Sequence, residues 1–276
     1  MKKLLFVILF ILLFSVMAIS FVGCEHVQVN IDETPPASPS EYKVVYVSDS
    51  VKADWFAPLV KLISNQEKAI YESDNEPPRP EEPSITYGCN MGLFDVNLDG
   101  VPELLVNLGG GSAGNDYFYI YDIFSGKKLG ELEGGGENAW AVYYDISSSQ
   151  YMTVGRYDWR IGSEGSQHFV TTIVFDETEQ CFIEKTLFYS SYEYRYSESG
   201  LEVMVVKFSV DGKSTDFQSY HYAITDFYTE YALVPNTALR QYSWRDVSDE
   251  DDGYQERAEK MAQKLLYDQE FVSIGN

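Results

Sequence analysis

Between residues 85 and 225 the chain is written in short runs rich in Tyr, Val, Ile, Phe and Thr, interrupted roughly every 8–15 residues by turn-forming residues. β-Branched and aromatic side chains suit a pleated, half-buried surface, so this stretch reads as an antiparallel meander. Strands are expected near 85–94, 102–108, 116–124, 128–133, 139–145, 151–158, 167–176, 181–196, 200–210 and 215–225. Turns are expected at Ser125-Gly126, Ser147-Ser148-Ser149 and Asp211-Gly212, among others. Some runs, such as Tyr117-Phe118-Tyr119-Ile120-Tyr121, are apolar on both faces and suit a covered, central strand. Others alternate: Tyr192, Tyr194 and Tyr196 lie on one side, with Glu193 and Arg195 on the other, facing water. This mixture predicts a mainly β fold with flanking helices, the meander forming a curled sheet or a sandwich.

Two helices are expected at the ends of the folded part. Trp55, Leu59, Leu62, Ile63 and Ile70 recur at helical steps, which predicts a helix near 55–72. Proline fits best in a first helical turn, so Pro58 places the expected start close to Phe56. Near 249–269, Ser248 offers an N-cap, Asp249-Glu250-Asp251 an acidic first turn, and Ala258, Met261, Ala262, Leu265 and Leu266 an apolar stripe. Gly253 weakens that start and allows the helix to begin one turn later. Pro77, Pro78, Pro80 and Pro83 exclude a helix or central strand over 73–84 and mark a linker or surface loop.

The N-terminus is a targeting segment. Lys2 and Lys3 precede an apolar run over 4–23, broken only by Ser15 and Ser20. Hydropathy alone leaves a cleaved signal and an uncleaved membrane anchor both open, because about 20 apolar residues can span a bilayer. The end of the run, Phe21-Val22-Gly23-Cys24, resembles the lipobox of bacterial lipoproteins, with Phe21 where that family usually has Leu. The resemblance implies a signal peptide over 1–23, acylation of Cys24 and attachment to the extracytoplasmic face of a cell membrane. Residues 24–41 include Pro35, Pro36 and Pro39 and form a tether that reaches on the order of 55 Å when extended. Residues 42–276 are then the extracytoplasmic β-rich domain.

Loss of Lys2 and Lys3 leaves 18 cationic against 43 acidic residues, a net charge of −25. That excludes a nucleic-acid surface, which needs clustered Lys and Arg against phosphate. The composition, 45% hydrophobic and 15% aromatic, excludes a disordered chain. Cys89 and Cys181 stand outside any CxxC pair, which gives no support to a zinc or redox site and leaves open a disulfide or two buried thiols.

One motif carries metal chemistry. Asp95-Val96-Asn97-Leu98-Asp99-Gly100-Val101-Pro102-Glu103 sets oxygen-bearing side chains at alternate positions, a glycine where the backbone must turn sharply, and a closing carboxylate. Such a set suits a hard cation, calcium above all. An EF-hand would place its closing Glu at position 12, here Val106, and would flank the loop with helices; strand-like Leu93-Phe94 and Leu104-Leu105-Val106 flank this one. The segment resembles the FG-GAP type of β-hairpin calcium loop, and the similar loops of bacterial surface lipoproteins. That resemblance implies part of a propeller as a third architecture for the meander, Asp95, Asn97, Asp99 and Glu103 as side-chain ligands and Val101 as a carbonyl ligand. The same residues, without metal, are also those that cap a hairpin through side-chain to backbone hydrogen bonds.

Signs of catalysis are weaker. Gly110-Gly111-Ser112-Ala113-Gly114 matches the G-x-S-x-G elbow of serine hydrolases, but a strand rather than a helix is expected to follow Ser112. His26 falls in the tether, while His168 and His221 fall in expected strands. The chain's 22 tyrosines suit core and cross-strand pairs, and any on one exposed face suit a sugar or a protein. The sequence therefore points to a cell-envelope lipoprotein with a calcium-stabilised binding domain and a protein or glycan partner. A glycan-binding module using exposed tyrosines and a hydrolase using Ser112 are the alternatives.

Overall fold

The computed structural model describes residues 44–73, 89–108, 115–135, 139–161, 165–196, 201–243, 247 and 252–274. All of these lie in the unit that spans Pro36–Asn276. The domain is mainly β: one large, mostly antiparallel sheet of 12 strands, a separate two-stranded ribbon and three helices.

The first meander is β2 (Cys89–Phe94), β3 (Glu103–Leu108), β4 (Asn115–Tyr121) and β5 (Lys128–Gly135). The second is β6 (Ala139–Asp145), β7 (Gln150–Ile161), β8 (Gly165–Asp176), β9 (Cys181–Tyr196), β10 (Glu202–Val210) and β11 (Lys213–Thr215). They meet where Gly130 of β5 pairs in parallel with Phe182 of β9, which makes the sheet mixed. Short strands β12 (Tyr231–Leu233) and β13 (Gln241–Ser243) pair with β6 and β2 and form the two ends of the path. The ribbon joins β1 (Val44–Tyr46) to β14 (Val272–Ile274).

The expected curled sheet, sandwich or part propeller is replaced by this single sheet, which does not close on itself or divide in two. The reason lies in the register. β9 is long enough to pair with β8 along one edge and to share its other edge between β5 near Phe182 and β10 from Phe188 to Tyr196, so both meanders join one ladder.

Side-chain alternation then sorts the apolar residues by face. Phe94, Leu105, Phe118, Ile120, Leu132, Trp140, Val142, Tyr144, Ile173 and Phe182 share one buried cluster with Val234, Leu239 and Ile274. On the opposite face of β2 and β3, Met91, Leu93, Leu104 and Val106 pack with the apolar stripes of α1 (Asp49–Ser73) and α3 (Tyr254–Tyr267). On the opposite face of the second meander, Ala141, Tyr143, Val154, Val170 and Phe188 pack against Phe227 of α2 (Phe217–Glu230). Burying each large aliphatic or aromatic side chain contributes about 1.5–3 kcal/mol before the cost of ordering is subtracted, so these clusters dominate the fold's energetics.

Three local expectations are corrected. α1 begins at Asp49, not near Phe56, and holds Pro58 in its interior. Ser48 opens it by accepting hydrogen bonds from the amides of Val51 and Lys52. Pro58 has no amide hydrogen to donate to the Asp54 carbonyl, so the helix gives up one internal hydrogen bond there. The expected strand 215–225 is almost wholly helix α2. Asp216 caps it by accepting from the Ser219 amide, and Tyr220, Ala223, Ile224, Phe227 and Tyr228 recur at helical spacing toward the sheet. The residue types favoured a strand; their period and the cap decided otherwise. α3 begins at Tyr254 behind Gly253, one turn later than 249, and buries Ala258, Met261, Ala262, Leu265 and Leu266 as expected; Ser248 and residues 249–251 lie outside the described residues. Among the described residues no helix is long and apolar enough to cross a membrane.

Candidate functional site

The acidic loop joins β2 to β3 at one end of the first meander. Phe94 before it and Leu105 after it point into the large apolar cluster, which pins the two strands and leaves 95–102 to make the turn. Leu98 and Gly100 both take the left-handed conformation, with φ of 61° and 90°. That conformation carries no steric cost at glycine, which is the reason for Gly100 in the motif.

Side-chain oxygens organise the turn. Asp95 accepts from the amides of Asp99 (3.1 Å) and Gly100 (2.9 Å) through its two carboxylate oxygens. Asn97 Oδ1 accepts from the Asp99 amide at 3.0 Å, and Asp99 Oδ1 from the Val101 amide at 2.8 Å. Asn97 Nδ2 donates to Asp99 Oδ2 at 2.9 Å. Glu103 reaches back across the hairpin, where its Oε2 accepts from the Val96 amide at 2.8 Å. Thr153 of β7 donates through its hydroxyl to the Val96 carbonyl, tying the loop to the second meander. Thr153 lies 57 residues from Val96 and has no sequence signature, so only the tertiary structure identifies it.

The five residues are thus brought together, but unequally. Asp95 (9% exposed) and Glu103 (4%) are buried at the base, Val101 is half-buried, and Asn97 and Asp99 are exposed. Burial, with the charge of Asp99 adding to it, pushes the Asp95 carboxyl up to about 6. Burial, with the charges of Asp95 and Asp99 adding to it, pushes Glu103 up to about 8. Backbone amides offset part of both shifts, and among the described residues no Lys or Arg forms an ion pair with any of the three carboxylates. The site is a pair of buried acids with a third nearby and, among the described residues, no counter-charge.

The donor set suits a hard divalent cation: three carboxylates, an amide oxygen and a carbonyl, with waters completing the six to eight oxygens calcium takes. Each amide-bound oxygen keeps a second lone pair. The shell is not preassembled, however. Among the described residues no three His, Cys, Asp or Glu side chains converge as a metal cage, and Asn97 turns its Nδ2 rather than an oxygen toward Asp99.

The other residues singled out in the sequence are dispersed. Cys24, its tether and Ser112 lie outside the described residues. Cys181 carries a free thiol, so the disulfide with Cys89 is not formed. His221 sits on α2 rather than on a strand, stacked on Phe217. His168 does lie on a strand, with Nδ1 2.6 Å from Asp158 Oδ1, which raises its pKa. Ser190 stands opposite His168 in the register but bonds Tyr220, so no serine–histidine pair forms there. Tyr192, Tyr194 and Tyr196 do share one face, but that face is exposed, whereas the alternation had turned the Glu193 and Arg195 side to water; the rings of Tyr192 and Tyr194 meet at 77°, edge to face, and offer no flat platform for a sugar.

Fold and site together define a mainly β domain built on one mixed sheet with an acidic hairpin loop. No family model matches the chain, and neither a curated protein nor a solved structure is detectably similar to it.

Proposed function

We propose that this chain is a cell-envelope lipoprotein, acylated at Cys24 and held on the extracytoplasmic face of the membrane, whose calcium-stabilised β-rich domain binds a partner and performs no catalysis. The lipobox-like Phe21-Val22-Gly23-Cys24 and the polar tether behind it support the anchor. The observation that carries calcium is the burial of Asp95 and Glu103 in one hairpin without, among the described residues, a cationic side chain to neutralise them. In this reading Asp95 and Glu103 form the base of the ion's shell, Asn97 and Asp99 turn inward onto it, and Val101 adds its carbonyl. Calcium here stiffens the β2–β3 turn and, through Thr153, the contact with β7.

A chelator should lower the melting temperature of the wild type and leave an Asp99→Ala variant unmoved. A wild type indifferent to chelator ends the calcium reading. Separately, Cys24→Ala should release the protein from the membrane fraction into the soluble one; continued retention would count against the lipid anchor.

A further inference from the structure

Three of the strands with only one neighbour along all or part of their length, β11, β12 and β13, are three residues long, which is one way sheets avoid unwanted pairing. β10 is different. It pairs with β9 through nine consecutive residue pairs without a bulge, but β11 covers its second side only at Phe208, Ser209 and Val210. Along Glu202-Val203-Met204-Val205-Val206-Lys207 the outer row of backbone donors and acceptors has no neighbouring strand among the described residues. Nothing else blunts it: the segment holds no proline, and its charges stand only at its ends. Val203, Met204 and Val206 are exposed, Met204 by 57%.

The face beside this edge is apolar as well. Met204 stands opposite Tyr194 and Val206 opposite Tyr192, with Tyr196 (75% exposed) at the open end. Within β9 from Phe188 and along β10, the one charged residue on this face is an acid, Glu202, opposite Tyr196. Two strands beyond β9 in the register, Asp158, bonded to His168, and Arg160 share the face and offset one another. Arg195, held by Glu193 at 2.6 Å, and Lys207 lie on the reverse face. The whole chain carries a formal charge of −23, so a second copy approaching this edge meets repulsion, while a basic segment is drawn to it.

We propose that residues 202–207 are a strand-addition site for an extended, basic peptide segment of a partner protein. The segment adds along β10, its backbone pairing with the free row and its alternate apolar side chains resting against Met204 and Val206. The proposal deepens the binding-domain reading and rests on it, while it is independent of the calcium site.

The test uses the full-length protein in detergent and three synthetic probes: an acetylated and amidated Lys-Val-Thr-Val-Thr-Val-Lys peptide, the same peptide with every backbone nitrogen methylated, and its Glu-for-Lys counterpart. The first should bind saturably and slow amide exchange within 202–207 by about tenfold or more; the methylated peptide should fail, and the acidic one should bind at least about tenfold more weakly. Met204→Lys with Val206→Lys should weaken the basic peptide by about tenfold or more without moving the melting temperature. Equal binding by the methylated peptide overturns strand addition, and equal binding by the acidic one overturns the charge requirement. Protection that grows with protein concentration in the absence of peptide overturns the peptide in favour of a second copy. Protection at another surface overturns this site but leaves a binding domain standing; absence of binding by every probe overturns the proposed peptide class and leaves the chelator result unaffected.

Discussion

Stripped of calcium, the protein should lose stability as the pH is raised from about 5 to about 9, and millimolar calcium should flatten or reverse that trend. Asp95 and Glu103 have folded-state pKa values near 6 and 8, above the 3.8 and 4.5 of the free side chains. Both are raised, so the folded state holds these protons more tightly than the unfolded one. Their contribution is fully present below pH 4 and is lost as the pH climbs through 6 and then 8, where two charges must be carried in a buried, uncompensated site. At about 1.4 kcal/mol for each tenfold gain in proton affinity, the two groups together weigh on the order of several kcal/mol, or a melting-temperature change on the order of 10 °C for a domain of this size. Calcium binds the ionised carboxylates, so its affinity rises over the same interval. Calorimetry at pH 5, 7 and 9, with chelator and with calcium, checks this. Glu103→Gln should remove much of the slope from the chelated protein while keeping an acceptor for the Val96 amide, which separates the site from the general repulsion of an acidic chain. Identical slopes with and without calcium would sink the calcium assignment.

The second large effect is expected at Gly155, where an alanine should cost roughly 3 kcal/mol and lower the melting temperature by roughly 6–12 °C. Gly155 stands opposite Trp140 in the β6–β7 ladder, and the indole lies directly over it. A Cβ added at Gly155 would fall 2.5 Å from two ring carbons of Trp140, far inside van der Waals contact. Trp140 is fully buried in the cluster that both meanders share, so the ring has nowhere to go. In a Trp140→Phe background the same substitution should cost markedly less. Equal losses in both backgrounds would show that ring contact is not the cause.

Much of the fold was legible along the chain. Strands over 139–145 and 181–196 fall where the alternation put them, and the stripe of α3 buries the five residues its spacing named. The β2–β3 turn and its five oxygen-bearing positions were legible too, because side-chain to backbone bonds act within a few residues. α2 was misread because Tyr, Ile, Thr and Phe favour strands intrinsically, whereas packing of one helical face on Val170 and Phe188 overrode that preference. Residue types could not show that Glu103 and Asp95 would be buried together without a cation, since burial is a property of what the rest of the chain brings over them.

By itself the sequence determined the N-terminal lipobox-like segment, the acidic charge, the β-rich class and the chemistry of one loop, all of which depend on local spacing or on composition. The tertiary structure decided what depends on residues far apart: that two meanders join through Gly130 and Phe182 into one sheet, that Thr153 holds the loop, and that among the described residues β10 lacks a second neighbour over 202–207. Hydrogen-bond ladders saturate one neighbour at a time, so which edge stays free is settled only when every other strand has found its partner.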